Sequence, residues 1–150
     1  MCSSDLYATD ALIDPELMMG MPRELTVSTA LDALSHSLES IWNVKGNPVS
    51  TGHAVNAAME ILTILPALVD DLGNLDLRSR IARAATFAGL AFSNTKTALA
   101  HSISYPITLR HGTPHGFACS FSLPMVTRSV IGASAACDAG LRCIFGENLS

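Results

Sequence analysis

Charge is scarce in this sequence: only 15% of its 150 residues are Asp, Glu, Lys or Arg, against about 25% in an average soluble domain. A free-standing globule usually shows more surface charge, so part of the apolar surface expects a partner. Aromatic residues are also few, at 5%, and β-branched residues are sparse beside Ala and Leu, which favours helices over sheet. Modest counts of Gly (10) and Pro (7) exclude collagen-like and low-complexity classes, and an apolar content of 49% excludes disorder. The four cysteines, Cys2, Cys119, Cys137 and Cys143, have no CxxC spacing and follow no secretory signal, so reduced thiols are expected. His, Ser, Thr, Pro or a charge interrupts every apolar run before the 18 or so residues of a membrane helix. These absences lead to the expectation of a soluble, cytoplasmic protein with no membrane partner. There is no Gly-rich phosphate loop and no alternation of strands with helices, so these residues cannot build a dinucleotide-binding fold.

The charge that is present is asymmetric. Residues 1–75 hold ten acids and two bases, whereas residues 76–150 hold three acids and seven bases. The bases are scattered rather than clustered with aromatics, which argues against nucleic-acid binding.

Apolar periodicity predicts a succession of helices. Tyr7–Asp14 reads as a lone strand, and Asp14-Pro15 as a helix-start signal. Val27, Leu31, Leu34, Leu38 and Ile41 define an amphipathic helix over Thr26–Trp42, stopped by Gly46-Asn47-Pro48. A second helix opens at Ser50 or Thr51 and is kinked or broken at Pro66. Asp76 caps a third, running to Phe92. Ser93-Asn94-Thr95 caps a fourth over Lys96–Tyr105, ended by Pro106. One helix then spans His115–Val130, and a last one Ala135–Ile144. The expected fold is an all-α helical bundle with one orphan strand at its start.

Five histidines punctuate these helices. Asp32 and His36 are four apart on the first helix, so their side chains stack on one face. Flanked by Leu31, Leu34 and Leu38, they point partly inward, where an ion pair or a divalent metal would compensate their burial. By itself this spacing favours the ion pair. His101 is the strongly polar group among Ala98, Leu99, Ala100 and Ile103, and by itself reads as a satisfied core histidine. His115 opens a helix, and the positive end of the helix dipole keeps its ring neutral, as a metal ligand must be. Taken together, one carboxylate and three imidazoles form a mixed N/O set suited to Fe(II), Zn(II) or a similar ion. His53 and His111 have no partner pattern.

Asp32-Ala-Leu-Ser-His36, with Asp14-Pro-Glu-Leu and Pro22-Arg-Glu-Leu before it and Glu39 after it, resembles the signature of the iron-containing alcohol dehydrogenase family. Phe92-Ser-Asn, His101 and Pro114-His115-Gly116 resemble its second metal-binding segment, including the fourteen-residue separation of the two histidines. The resemblance extends from about Ile13 to the end of the chain. It implies that Asp32, His36, His101 and His115 are metal ligands, that the metal is Fe(2+) or Zn(2+), and that the redox cofactor is NAD(H) or NADP(H). It also implies a small aldehyde or alcohol as substrate and a homodimeric whole enzyme. By the same resemblance, residues 1–20 are the end of a dinucleotide-binding domain, and residues 21–150 are a helical metal-binding domain that continues further. Cys2–Leu6 fits nothing in the family and reads as a non-native junction. The chain is then a fragment, inactive alone.

One position departs from the pattern. Many members carry a proton-relaying histidine four residues after the one matching His101, and this chain has Tyr105 there. A tyrosine can relay a proton, but a pKa near 10 makes it a slower shuttle at neutral pH. Leu34–Asn43, Ser93–Ala98 and His101–Pro106 look more specifically like the phosphonoacetaldehyde reductase subgroup. That resemblance implies reduction of phosphonoacetaldehyde to 2-hydroxyethylphosphonate. Lys96, near a helix start, is then a candidate for meeting an anionic substrate, with Arg110 as a second. Each is equally compatible with an ordinary exposed base. Phe92 matches a position lining the substrate channel and is equally compatible with a core residue. Two rival readings keep the same residues: a metal-dependent hydrolase, and a non-catalytic helical domain.

Overall fold

The computed structural model describes residues 10–147 and Leu149. A short 3-10 turn, Pro15–Met18, precedes seven helices: α1 (Arg23–Trp42), α2 (Pro48–Asp70), α3 (Leu75–Thr95), α4 (Leu99–His111), α5 (His115–Phe121), α6 (Leu123–Val130) and α7 (Ala135–Phe145). No strand occurs among the described residues. Of the strand expected over Tyr7–Asp14, residues 7–9 lie outside them, and residues 10–14 carry no regular structure, as befits a segment with no strand to pair with. Asp14 does cap the 3-10 turn, its carboxylate accepting the Glu16 N–H at 3.0 Å.

The all-α body is as expected, with α1 at its centre, packed against α2, α3 and α5. Its buried side chains are mostly small, including Ser28, Ala30, Ala33, Ser35, Ser37 and Ser40. Small residues let neighbouring helices approach on several sides. The buried serines avoid a desolvation cost by bonding back along the helix: Ser35, Ser37 and Ser40 donate to the carbonyls of Leu31, Ala33 and His36 at 2.7–2.9 Å. This is broader burial than one amphipathic stripe supplies, and Val27 and Leu31 are only half-buried. The core is completed by Ala54, Ala57, Ala58, Ile61, Ile64 and Leu68 of α2 and by Ala84, Ala88 and Ala91 of α3.

Several helix boundaries differ from the sequence expectation, each for a physical reason. α2 starts at Pro48, because Asn47 and Ser50 form a reciprocal capping box. It then passes Pro66 unbroken, and α4 likewise passes Pro106. In both cases the proline and the residue four before it, Leu62 or Ser102, are solvent-exposed, so water can take the freed carbonyl. α2 is also long and apolar enough to cross a membrane, with a mean hydropathy of 1.4. Its inward residues are nonetheless fully buried against the bundle. Asn74 caps α3, accepting the Leu77 N–H at 3.1 Å, and the helix continues through Ser93-Asn94-Thr95 rather than ending before them. Ser93 and Asn94 donate to the Leu90 carbonyl and so belong to its last turn. The helix expected over His115–Val130 is two, parted at Ser122, because Pro124 cannot donate within a continuous helix and instead sits in the first turn of α6. Arg78 is buried without an ion pair among the described residues. It donates to Thr26 Oγ1, the Met21 carbonyl and the Leu72 carbonyl at 2.8–3.0 Å, pinning the start of α1 to the α2–α3 turn.

Candidate metal centre

Three helices meet at one point. α1 contributes Asp32 and His36, α4 contributes His101, and α5 contributes His115. The Oδ1 of Asp32 lies 3.3 Å from His101 Nε2, 3.6 Å from His115 Nε2 and 3.9 Å from His36 Nε2. The rings of His36 and His101 stack at 4.6 Å, and His115 meets His101 edge-on at 5.4 Å.

Each helix reaches this point for a local reason. Asp32 and His36 share a face of α1 through their i, i+4 spacing. α5 is drawn onto α1 by Gly116: a Cβ there would stand 1.7 Å from the Ser28 carbonyl oxygen, so only glycine permits the approach. α4 has no capping side chain in its own loop. Its cap is Glu39, three residues after His36 on α1 and fully buried. The Glu39 carboxylate accepts the N–H groups of Ala98 at 2.9 Å, Ala100 at 2.5 Å and His101 at 3.3 Å. It also receives His101 Nδ1 at 2.6 Å. With Nδ1 donating to Glu39, the lone pair of His101 sits on Nε2 and faces Asp32, the arrangement of a carboxylate-oriented metal ligand.

Two atoms at the meeting point, Asp32 Oδ1 and His101 Nε2, are buried and lack a hydrogen-bond partner. Two buried polar atoms left orphaned face to face call for a partner, and a cation is one that both could bind. A tetrahedral ion bonded at about 2.1 Å puts its ligand atoms about 3.4 Å apart, and the spacings here are 3.3, 3.6 and 3.9 Å. The donor set therefore fits a divalent first-row metal.

The electrostatics agree. Burial alone would raise the Asp32 pKa, but the imidazoles around it, His101 foremost, hold it below the ordinary aspartate value. Burial would also raise Glu39, but its bonds from His101, Ala98 and Ala100 bring it down. His36 is lowered chiefly by burial, against the pull of Asp32, and so is kept neutral. His101 goes the other way. Burial disfavours its charged form, yet the Asp32 carboxylate 3.3 Å away, the Cys119 sulfur and the Glu39 carboxylate lift it to about 11. A proton on His101 Nε2 would face Asp32 Oδ1, the side on which a cation would sit.

The remaining sequence candidates divide. Phe92 stacks on His36 at 4.5 Å, and Tyr105 stacks parallel to His115 with centroids 6.2 Å apart, so both adjoin the centre. Lys96 is exposed and has the unusual φ of +73°, while Arg110 lies exposed in the last turn of α4. Among the described residues no contact ties either of these side chains to Asp32, His36, His101 or His115. His53 stacks on Phe87 at 5.5 Å, and His111 is exposed at the end of α4. Two residues had no assigned role in the sequence reading. Glu39 stood in the Asp32–Glu39 stretch, seven residues after Asp32 and thus on its face. Cys119 is four residues after His115, a spacing that puts its thiol beside that ring.

Comparison with known proteins agrees with this geometry. A family model described as "Fe-containing alcohol dehydrogenase family, C-terminal" matches residues 26–137. The chain belongs to the iron-containing alcohol dehydrogenase family. An NAD-dependent methanol dehydrogenase of Bacillus methanolicus is 34% identical over 142 residues, covering 95% of this chain and 37% of that protein. A phosphonoacetaldehyde reductase of Streptomyces viridochromogenes is 34% identical over 118 residues, covering 79% of this chain and 30% of that protein. Among solved structures, a sulfoacetaldehyde reductase from Bifidobacterium kashiwanohense in complex with NAD+ superposes with a TM-score of 0.75 at 38% identity, over 78% of this chain and 31% of its own. The chain thus spans about a third of the length of these relatives. All four expected ligands lie within the matched residues 26–137.

Proposed function

We propose that this chain is the metal-binding helical part of an NAD(P)-linked alcohol dehydrogenase working as an aldehyde reductase, with Asp32, His36, His101 and His115 holding Fe(2+) or Zn(2+). In this reading residues 21–150 belong to the helical domain and residues 1–20 to the end of a cofactor-binding domain. The observation that carries it is the convergence of one carboxylate and three imidazoles on two orphaned buried atoms. The ion supplies Lewis-acid polarisation of a carbonyl oxygen, and the nicotinamide supplies the hydride. Glu39 fixes His101 in the tautomer that presents Nε2. Phe92 covers His36 and makes one wall of the site apolar. Tyr105, parallel to His115 and half-exposed, holds the phenolic proton that the reduced oxygen needs, with water as its source of replacement.

For the substrate we favour a short aldehyde bearing an anionic group, with phosphonoacetaldehyde, giving 2-hydroxyethylphosphonate, as the leading choice. Two of the relatives above are named for aldehydes carrying a phosphonate or a sulfonate. Lys96, just before α4, and Arg110, in its last turn, are exposed bases available to meet such a group. The test is metal analysis and NAD(P)H oxidation by the full-length protein. Asp32→Ala and His101→Ala should each lower metal content and turnover by about a hundredfold or more. Lys96→Ala should raise KM for phosphonoacetaldehyde at least about tenfold while leaving propanal unchanged. Equal metal content in the native protein and both ligand variants would overturn the ligand assignment. An unchanged KM would remove Lys96 from the substrate site.

A further inference from the structure

The donor atoms that gather most closely at the centre are not the four the family resemblance implies. Those of Asp32, His101, His115 and Cys119 all lie within 4.8 Å of one another. Cys119 is fully buried on α5, and its Sγ stands 3.4 Å from His115 Nε2. This is the same nitrogen that faces Asp32 Oδ1 at 3.6 Å. The same sulfur is 3.7 Å from Nδ1, so it lies alongside the ring, and the half-exposed His115 side chain turns for its Nε2 and the sulfur to share one ion. The orphaned Nε2 of His101, on a side chain only 3% exposed, faces the same space. The thiol is therefore one corner of a group of donors whose other members are already short of a cation.

We propose that Cys119 is a sulfur donor of this centre, binding thiophilic divalent ions such as Zn(II), Co(II) or Cd(II) together with Asp32, His101 and His115. The proposal rests on the metal-site reading above and puts Cys119 in the place of His36 for these ions. Binding converts the thiol to thiolate, forms the sulfur–metal bond and releases the proton to solvent. Softness decides which ions use it: thiolate suits Zn(II) and its congeners, while the carboxylate and three imidazoles suit Fe(II). The ligand set also changes the charge of the centre. With Asp32 and three neutral histidines a divalent ion keeps a net charge of +1, whereas Asp32 and the Cys119 thiolate neutralise it. A zinc-loaded centre is then a weaker electrophile than an iron-loaded one.

The test uses the full-length protein stripped of metal and reloaded with Co(II) or Zn(II). The native protein should show a sulfur-to-cobalt charge-transfer band in the near ultraviolet. X-ray absorption of its zinc form should show a sulfur neighbour at about 2.3 Å. Cys119→Ser should lose the band while still binding cobalt, and His36→Ala should retain it. Bound cobalt without a sulfur band in the native protein overturns the role of Cys119 and leaves the metal site standing. A band that survives in Cys119→Ser overturns it too, because another thiol is then the ligand. If neither ion binds the native protein, the metal-site reading itself falls and the proposal with it. Should Cys119→Ser fail to fold, the zinc absorption spectrum of the native protein decides alone.

Discussion

Glu39 makes four hydrogen bonds with its two carboxylate oxygens, three of them to backbone N–H groups at the start of α4 and one to the His101 ring. It is fully buried, so removing it leaves those donors without water as well as without a partner. Glu39→Ala is expected to cost about 3–5 kcal/mol in urea unfolding and to weaken metal binding by about 10- to 100-fold in a competitive chelator titration. Glu39→Gln should retain more stability than the alanine variant, since one amide oxygen still accepts. The same cluster sets a pH window for protein stripped of metal. Asp32 and Glu39 are held below their ordinary values of 3.8 and 4.5, so their stabilisation is complete above those values and is lost as pH falls through the lowered ones. His101 is raised from 6.5 to about 11, so its contribution is complete below 6.5 and is lost as pH rises towards 11. His36 is lowered, so its contribution is complete above 6.5 and is lost as pH falls below that value. Thermal unfolding after chelator treatment should therefore show maximum stability near pH 6.5. A maximum above pH 8 would mean that His101 is not held as a cation.

At the scale of elements, the centre depends on how closely α5 lies on α1 and on how α4 begins. Gly116→Ala would place a methyl group against the Ser28 backbone, which cannot yield as a flexible side chain does. The helix must move, taking His115 and Cys119 with it. The expected result is a loss of about 1–3 kcal/mol of stability and a fall in metal content; unaltered metal content would show that α5 tolerates the shift. Lys96 ends α3 at φ 73° and ψ 176°, a region essentially reserved for glycine. Lys96→Gly should accordingly stabilise the fold by about 1 kcal/mol in denaturant unfolding. If Lys96 also meets the substrate anion, the same variant should bind that substrate more weakly.

For the whole molecule, the low charge of the sequence has a counterpart in its surface. Leu12, Leu17, Val44, Leu109 and Phe121 are all at least 78% exposed, and Val49 and Met125 are 67% exposed. Scattered apolar residues are ordinary, but this many large ones on so small a body favours association. The chain produced alone is expected to self-associate at micromolar concentration in sedimentation velocity runs. A single monomeric boundary would show that these residues do not form a continuous adhesive surface.

Much of this was legible in the residues themselves. The Ala- and Leu-rich composition and the three- and four-residue apolar spacings determined a helical bundle, because such periodicity is local and backbone hydrogen bonding follows it. Asp32 and His36 announced a shared helix face for the same reason, and Cys119 stood at the matching distance from His115. Other features involve groups far apart in sequence, and only the tertiary structure decided them. Pro66 and Pro106, like Leu62 and Ser102 four residues before them, are exposed and so tolerated, which depends on which side of each helix the bundle covers. The cap of α4 comes from Glu39, fifty-nine residues before Ala98, where no rule of local spacing can find it. His101 read alone as an ordinary core histidine. Its unpaired nitrogen opposite an unpaired carboxylate oxygen exists only once α1, α4 and α5 converge, since burial and the lack of a partner are properties of the packed chain.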